Sequence, residues 1–533
     1  MPLYPVRERV QDEILPHYDF IVCGGGTAGC VMARRLSDDP DVSVLLLEAG
    51  GSDRVPTVLD TTLWMRNIGS ERDWCYSAEP SPHLAGRAAP LPMGKVLGGG
   101  SSINGSIWAR GHRHDFDEWA RISGDPGWRY EAVLPLYREI EDWQGPPDPL
   151  RRGRGGLLSI QPPQDPIPLV GALIEATHAL GIPKVDDINA EAMEGESGCG
   201  VPNLLVRDGN ERVSMAATYL RPALQRPNLH VLLCAEVTRL RFDGLRATGV
   251  EFVQRGRVHR VSAGCEVVVS LGAINTPKLL MLSGLGPRAA LQTLGLPVLQ
   301  HLPGVGQNFQ DHILMAGCCW AYATPEPPRN NAAEFVFYAK SRPDLPAPDL
   351  MPVLEEAPFA SDAVARRFKV PEGASSAWTL APGLAQPTSR GQVLLASTDP
   401  LVAPRIEANF LSTDEDMRAL LYCVALCREI GNSEVCAPFR AREVFPGPLQ
   451  GGDLVRFVRE AAGTYFHQSC TARMGTDDAA VVDGALLVRG LQGLRLVDAS
   501  IMPTITRGNT MAPTVLIAER AARLVRAAHG LKV

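Results

Sequence analysis

Apolar positions cluster in short runs separated by glycine, and the first run sets the pattern. Asp19-Phe20-Ile21-Val22-Cys23 stops at GGGTAG, an apolar stretch then runs to Arg34 and Arg35, and VSVLLLEAG follows with Glu48 closing it. This spacing predicts strand, glycine loop, helix, strand and acid. Residues 229–270 read as a meander: HVLLC, VTRLRF, an Asp243-Gly244 turn, TGVEFV and RVHRV, then a strand over Glu266–Ser270. A helix is expected from about Thr276, with Pro277 in its first turn. In residues 313–452, Pro-rich stretches separate strand-like pieces such as GQVLLAS from an amphipathic helix at about Asp414–Ile430. The last eighty residues offer a strand over Gly493–Asp498, a loop, and a helix from about Pro513 through Ala528. Arg520, Arg523 and Arg526 fall toward that helix's end, as its dipole favours. No internal repeat or low-complexity tract interrupts this order.

The first loop has a chemistry. Gly24 permits the tight turn after the strand, Gly26 lets backbone approach a phosphate, and Gly29 lets the helix pack closely on the strand. The helix opening there presents free N–H groups to an anion, and Glu48 is placed to accept hydrogen bonds from ribose hydroxyls. The unit predicts a dinucleotide site.

Composition narrows the class. At 533 residues, two to four structural units are expected. A hydrophobic share of 45% and a charged share of 21% describe an ordinary globular protein. A net charge of −7 offers no basic field for nucleic acid. No window holds about 18 uninterrupted apolar residues, which argues against a membrane span, and MPLYPVRERVQDEILPHYDF carries no secretory-signal pattern. The twelve cysteines form no C-x-x-C and none of the 11 histidines joins them at zinc spacing. Reduced, buried thiols in a cytoplasmic protein without a metal are therefore expected. Gln144–Gly156, rich in Pro, Gly and Arg, reads as a boundary loop, with Arg151, Arg152 and Arg154 as a solvated basic surface.

A second glycine loop, MGKVLGGGSSINGSIWARGHRHDFD (Met93–Asp117), places three glycines and two serines where no core could use them, so the backbone itself is wanted near a ligand. Two such loops favour a large cofactor touched at several points. The segment Gly94–Asn104 resembles the first signature of the glucose–methanol–choline oxidoreductase family, and Gly272–Gly286 resembles the second. FHQSCTARMG and LVDASIMP…NTMAPTVLIAERAA are similar to its catalytic tail, and the likeness thins only from about 313 to 452.

That resemblance implies an α/β protein: a Rossmann-type FAD-binding domain joined to an α+β substrate domain with an antiparallel sheet over the flavin. It divides the chain into FAD-binding segments 1–155, 200–312 and 453–533, and substrate segments 156–199 and 313–452. FAD would be held by Gly24, Gly26, Thr27, Ala28, Gly29, Glu48 and Ala49. The second loop would add Val96, Gly98, Gly99, Ser101, Asn104, Gly105, Ser106 and Ile107. Val237 would meet the adenine, Asp498 and Ala499 the pyrophosphate and ribityl chain, and Phe466, Asn509, Thr510 and Met511 would complete the site. Members that bind flavin through a histidine carry it directly before the asparagine of the first signature; Ile103 stands there, so FAD is expected to be non-covalent.

Oxidising an alcohol needs a group to take the hydroxyl proton and another to hold the oxygen while hydride leaves. By residue type alone, His467 beside Tyr465 and Phe466 reads as a core residue and Asn509 as a helix cap. The resemblance assigns His467 as base and Asn509 as amide donor to the oxygen. Asn509 in place of a second histidine favours a small primary alcohol, with dioxygen or another oxidant as acceptor. Tyr465, bulkier than the residue often found there, leans toward restricted oxygen use. A cyanohydrin lyase with non-redox FAD, or a flavin-bearing binding protein, are the competing classes. His112 and His114 read as solvated or structural, and Asp311-His312 as a structural turn near the cofactor.

Overall fold

The computed structural model describes residues 14–532. The leader segment read above lies, over residues 1–13, outside the described residues. Two sheets organise the rest.

The first is seven-stranded. Its parallel part runs Leu229–Leu232, Val44–Leu47, His17–Cys23, Arg257–Val269 and Leu494–Leu496. Val44–Leu47, Leu494–Leu496 and residues 20–23 and 266–269 of the two long strands are buried, and they read as continuous apolar runs because helices cover a parallel sheet on both faces. The predicted meander is present, but RVHRV and the strand over Glu266–Ser270 are one thirteen-residue strand. Its first half pairs antiparallel with Arg246–Gln254, which pairs in turn with Ala235–Asp243; its second half lies parallel to His17–Cys23 and Leu494–Leu496. In register, Cys23, Leu47, Val269 and Leu496 finish at one edge. An open α/β sheet binds ligands at that edge, where strand order reverses.

Helix Thr27–Leu36 packs on this sheet and against helix Met511–His529, whose His529 ring meets Phe20 of the sheet. An added Cβ at Gly29 would stand 1.8 Å from the Gly24 carbonyl oxygen, so the close helix–strand approach read from the motif requires glycine there. The helix expected from about Thr276 begins earlier, at Gly272, so Pro277 lies inside it. Gly272 has φ +79°, and the turn into the helix uses that left-handed conformation.

The second sheet has six strands, all paired antiparallel: Arg440–Phe445, Cys319–Tyr322, Ala377–Ala381, Val353–Glu355, Val336–Tyr338 and Gly198–Gly200. Trp320 and Trp378 stack within it at 4.4 Å, in a core shared with helix Asp414–Gly431. A smaller cluster including Leu314, Ala333, Met351, Val353 and Tyr465 covers the side toward the first sheet's ligand edge.

Two surface readings are corrected. Arg152 is 4% exposed, not solvated: its guanidinium pairs with Asp187 and Glu141 and also contacts Asn203. Glu141, fully buried, takes Arg110 and the Trp108 indole N–H as well, and these cations hold it below the usual carboxylate range despite its burial. Of the twelve free cysteines, Cys75 and Cys234 are exposed and Cys265 half-buried, because Cys75 and Cys234 occupy left-handed turn positions (φ 53° at each) rather than strand interiors. No helix among the described residues is long and apolar enough to cross a membrane.

Arg152→Met should destabilise the protein by about 3–5 kcal/mol, because it strands Asp187 and removes one of the two arginines on buried Glu141. Urea unfolding would show this as a lower midpoint at an unchanged slope; a midpoint equal to wild type would contradict the network's role.

Candidate active site

A cavity of about 260 Å³ opens along the carboxyl edge of the parallel strands and under the second sheet. Four of the five parallel strands end at it. After Cys23 come Gly24 and Gly26; Gly24 has φ +96°, which the turn demands. Helix Thr27–Leu36 is capped by Gly26 without a side chain, leaving its first-turn N–H groups to the cavity. Gly26 and Gly99 face each other across the two glycine loops; a Cβ on Gly99 would lie 2.7 Å from the Gly26 Cα. This is a cradle built for close approach of a ligand to backbone.

After Leu47, Glu48 accepts N–H groups from Gly25 (2.8 Å) and Gly50 (2.7 Å), while burial raises its pKa to about 7. After Leu496, Asp498 accepts the Gly272 N–H, the Thr276 hydroxyl and the Ser500 N–H; burial raises its pKa too. Both carboxylates have their positions set by backbone before any ligand arrives.

Of the residues expected to hold cofactor, Gly24, Gly26, Thr27, Ala28, Glu48, Ala49, Gly99, Ser101, Asn104, Gly105, Ile107, Phe466, Asp498, Ala499, Asn509, Thr510 and Met511 line this cavity. Five do not. Gly29 packs helix on strand, Val96 is fully buried and bridges to Gly51, and Gly98 donates its N–H to the Gly25 carbonyl. Ser106 turns the loop at φ 58°. Val237 lines a separate small cavity of about 30 Å³ that shares Ala49, Trp74, Leu271 and Asn275 with the large one.

Arg212 was not legible as a site residue. Buried with no carboxylate partner among the described residues, and with its pKa lowered to about 9 by burial, it donates to the Asn104 carbonyl and side-chain oxygen and to the Ser106 hydroxyl. Asn104 in turn donates to the Met511 Sδ at 3.0 Å. The second glycine loop is thereby fastened to the last helix.

His467 and Asn509, 42 positions apart, meet with 3.1 Å between the Asn509 Nδ2 and the His467 Nε2. The last helix starts at Met511 with Thr510 as its cap residue, so the Asn509 amide faces His467 instead of capping. The loop carrying His467 is pinned: Phe466 sits at φ 66°, its N–H on the Thr464 hydroxyl, and the His467 N–H goes to Asp311 Oδ1 at 2.9 Å. Asp311 also takes the Thr464 hydroxyl, and burial raises its pKa to about 7.

His312 is the partner that residue type did not reveal. Strand Ile313–Met315 pairs antiparallel with Ala462–Thr464, and the Tyr465 N–H donates to the His312 carbonyl. That register brings the two imidazoles to 2.9 Å between Nδ1 atoms. His312 Nε2 lies 2.9 Å from the Thr506 carbonyl, which only accepts, so Nε2 carries a hydrogen. Burial lowers the His312 pKa to about 4, so it is neutral and its Nδ1 is a bare acceptor. His467 must then donate from Nδ1, which leaves its Nε2 lone pair facing Asn509 and the cavity. Burial, reinforced by His312, depresses the His467 pKa well below its ordinary value, so at neutral pH this lone pair is free. Tyr465 stacks on the His467 ring, with centroids 5.0 Å apart.

His112 is structural, as expected: it is the cap residue of helix Arg113–Ser123 and contacts the Gly195 carbonyl. Among the described residues, no three His, Cys, Asp or Glu side chains are gathered as metal ligands.

Comparison with known proteins agrees with this arrangement. The pattern described as GMC oxidoreductase matches residues 18–314, and its C-terminal counterpart matches 387–518. The mitochondrial choline dehydrogenase of Homo sapiens is 38% identical over 551 residues, covering 96% of this chain and 90% of that protein. An oxygen-dependent choline dehydrogenase of Pseudomonas fluorescens is 36% identical, covering 96% and 94%. The crystal structure of pyridoxine 4-oxidase from Mesorbium loti superposes with a TM-score of 0.89 at 35% identity, covering 95% of this chain and 98% of that one. The glycine cradle, the two backbone-bound carboxylates and the free imidazole nitrogen fit a flavin dinucleotide. The chain belongs to the GMC oxidoreductase family: it uses non-covalent FAD and oxidises a CH–OH group by hydride transfer to the flavin.

Proposed function

We propose that the protein oxidises a primary alcohol to an aldehyde, with His467 as base and Asn509 holding the substrate oxygen. The observation that carries this is the hydrogen-bond chain from the Thr506 carbonyl through His312 to His467, which leaves Nε2 of His467 unprotonated and aimed into the cavity beside the Asn509 amide. FAD, when bound, supplies the isoalloxazine that accepts the hydride.

The residues do the rest. His467 Nε2 takes the hydroxyl proton, a role typically worth ~10²–10⁴-fold. The Asn509 N–H, which the free protein points at Nε2, is positioned to hold the oxygen as negative charge develops there. His312 prevents the His467 ring from adopting the other tautomer, and Asp311 holds the loop beneath it. Tyr465 covers one ring face, which supports an acceptor other than freely diffusing dioxygen.

His467→Ala should slow anaerobic flavin reduction by alcohol ~10²–10⁴-fold with FAD retained, and Asn509→Ala by ~10²-fold. Stopped-flow absorbance measures both; an unchanged rate in His467→Ala removes the base assignment, and an alcohol panel that never bleaches the flavin would favour the lyase. His312→Leu frees the His467 tautomer without touching substrate, and should cost about 10–100-fold in the limiting reduction rate.

The pH dependence has a definite sign. The base works neutral, and its pKa lies below its ordinary value, so the reduction rate constant at low alcohol should be level above about pH 6.5 and fall as pH drops through the depressed pKa. A limb centred above pH 7 would contradict this.

A further inference from the structure

No helix or strand holds the chain between Ala499–Ile501 and the last helix, yet this stretch carries Thr506 and Asn509. Side chains from other segments hold it instead. Asn308 and Gln310 donate to the Pro503 carbonyl, the Trp119 indole to that of Thr504, Gln386 to that of Ile505 and His312 to that of Thr506. Arg507 comes next, and here the hold is ionic. Its N–H lies 2.6 Å from Asp115 Oδ2, its guanidinium pairs with Asp115 Oδ1, and its Nε donates to the Pro348 carbonyl.

Both members of the pair are buried. Asp115 stands in the first turn of helix Arg113–Ser123 and also accepts the His112 N–H at 2.9 Å, so its carboxylate is fixed from its own side. Among the described residues Arg507 forms its ion pair with Asp115 alone. The pair grips both the backbone and the guanidinium of Arg507, which sets the direction of the loop as well as its place. Thr506, whose carbonyl chooses the His312 proton, immediately precedes that grip, and Asn509 follows two residues after it.

The same two charges reach the imidazoles. His312 is governed first by burial and then by the Thr506 carbonyl; of the charged groups, Asp115 favours its cationic form and Arg507 opposes it. His312 and His467 share a hydrogen bond, so they titrate as a pair. Tyr465 packs edge-on against His312, and Asp311 holds the His467 N–H. Arg507 also faces Asp349, Glu118 and His112, while Asp115 faces His112, Tyr137 and Tyr338. Of these, Asp349 is already occupied by the Ser341 N–H and hydroxyl.

We propose that Asp115 and Arg507 are positioning residues of the oxidation: paired, they aim the Thr506 carbonyl and the Asn509 amide, and their opposite charges cancel behind the two imidazoles. The proposal rests on the reading of His467 as the base. Neither residue lines the cavity, so both act through His312 and Asn509 rather than on substrate.

Removing one charge has opposite consequences according to which is removed. Arg507→Gln leaves the Asp115 carboxylate facing His312, favours the imidazolium and should move the acid limb of flavin reduction up in pH. Asp115→Asn leaves the guanidinium unbalanced, disfavours the imidazolium and should move that limb down. Each shift should be about half a pH unit or more. Asp115→Asn/Arg507→Gln carries neither charge and should bring the limb back to the wild-type position. Arg507→Lys keeps the charge but loses the planar fork, so the limb should stay while the limiting reduction rate falls.

Anaerobic stopped-flow reduction at low alcohol measures the limb. NMR of ring-labelled histidine in the FAD-loaded enzyme reads the same ionisation without turnover, its signals assigned by their loss in His312→Leu and His467→Ala. A merely structural pair would slow both single variants with the limb unmoved. That result, or a limb moving the same way in both, would overturn the proposal. Should Asp115→Asn not fold, Arg507→Gln against Arg507→Lys decides: only a limb raised in the first and unmoved in the second supports the pair. If no alcohol reduces the flavin, the oxidation reading fails, and the NMR titration still decides for or against Asp115 and Arg507.

Discussion

The parallel pairing of Arg257–Val269 with His17–Cys23 on one side and Leu494–Leu496 on the other is the constraint on which the site depends. It draws three segments spread over more than 450 positions to one edge, and at that edge the chain must turn. Each turn leaves backbone N–H groups without ladder partners. Glu48 and Asp498 take several of them, and the others form the cradle at the start of helix Thr27–Leu36. The carboxylates and the cradle are thus two answers to one accounting of backbone donors. Because the strands are buried and apolar, a one-residue slip would invert every side chain, so the edge is defined as sharply as the core.

The proposed catalytic pair depends on a different pairing. Ile313–Met315 against Ala462–Thr464 sets His312 beside His467, and the single-sided carbonyl of Thr506 then dictates every proton along the line. Burial has two opposed effects here. It keeps His467 neutral, which readies the lone pair, and it disfavours the imidazolium that results from proton transfer. The developing negative charge on the substrate oxygen offsets the second effect, since the two charges arise as a close pair in a low-dielectric space.

Electrostatically, the cavity separates into an end where carboxylates are met by backbone dipoles and a wall where Glu355 receives no hydrogen bond among the described residues. The first kind of carboxylate organises a loop. The buried Arg152–Glu141–Asp187 network is a third case, in which charges satisfy one another and brace the segment after the second glycine loop.

Much was legible along the chain because it concerns nearest neighbours. Gly24, Gly26, Gly29 and Glu48 announce their roles by spacing, since turn geometry and helix entry are local. The meander and the helix at Asp414 were visible in periodicity for the same reason. The exact start of helix Gly272–Leu282 was not, because Pro277 is a permitted first-turn residue and the real start is set by Asp498, 226 positions away. Arg152 looked solvated since charge runs usually are; its carboxylates come from two other segments. His312 and Glu355 were hidden more deeply. A histidine's tautomer and a carboxylate's lack of a partner are properties of what surrounds them in space. The sequence by itself determined the dinucleotide loop, the alternation of elements and, through family likeness, the His467–Asn509 pair. Only the tertiary structure decided which nitrogen of His467 is free and which acids line the cavity, because strand register and burial, which no local pattern encodes, choose those neighbours.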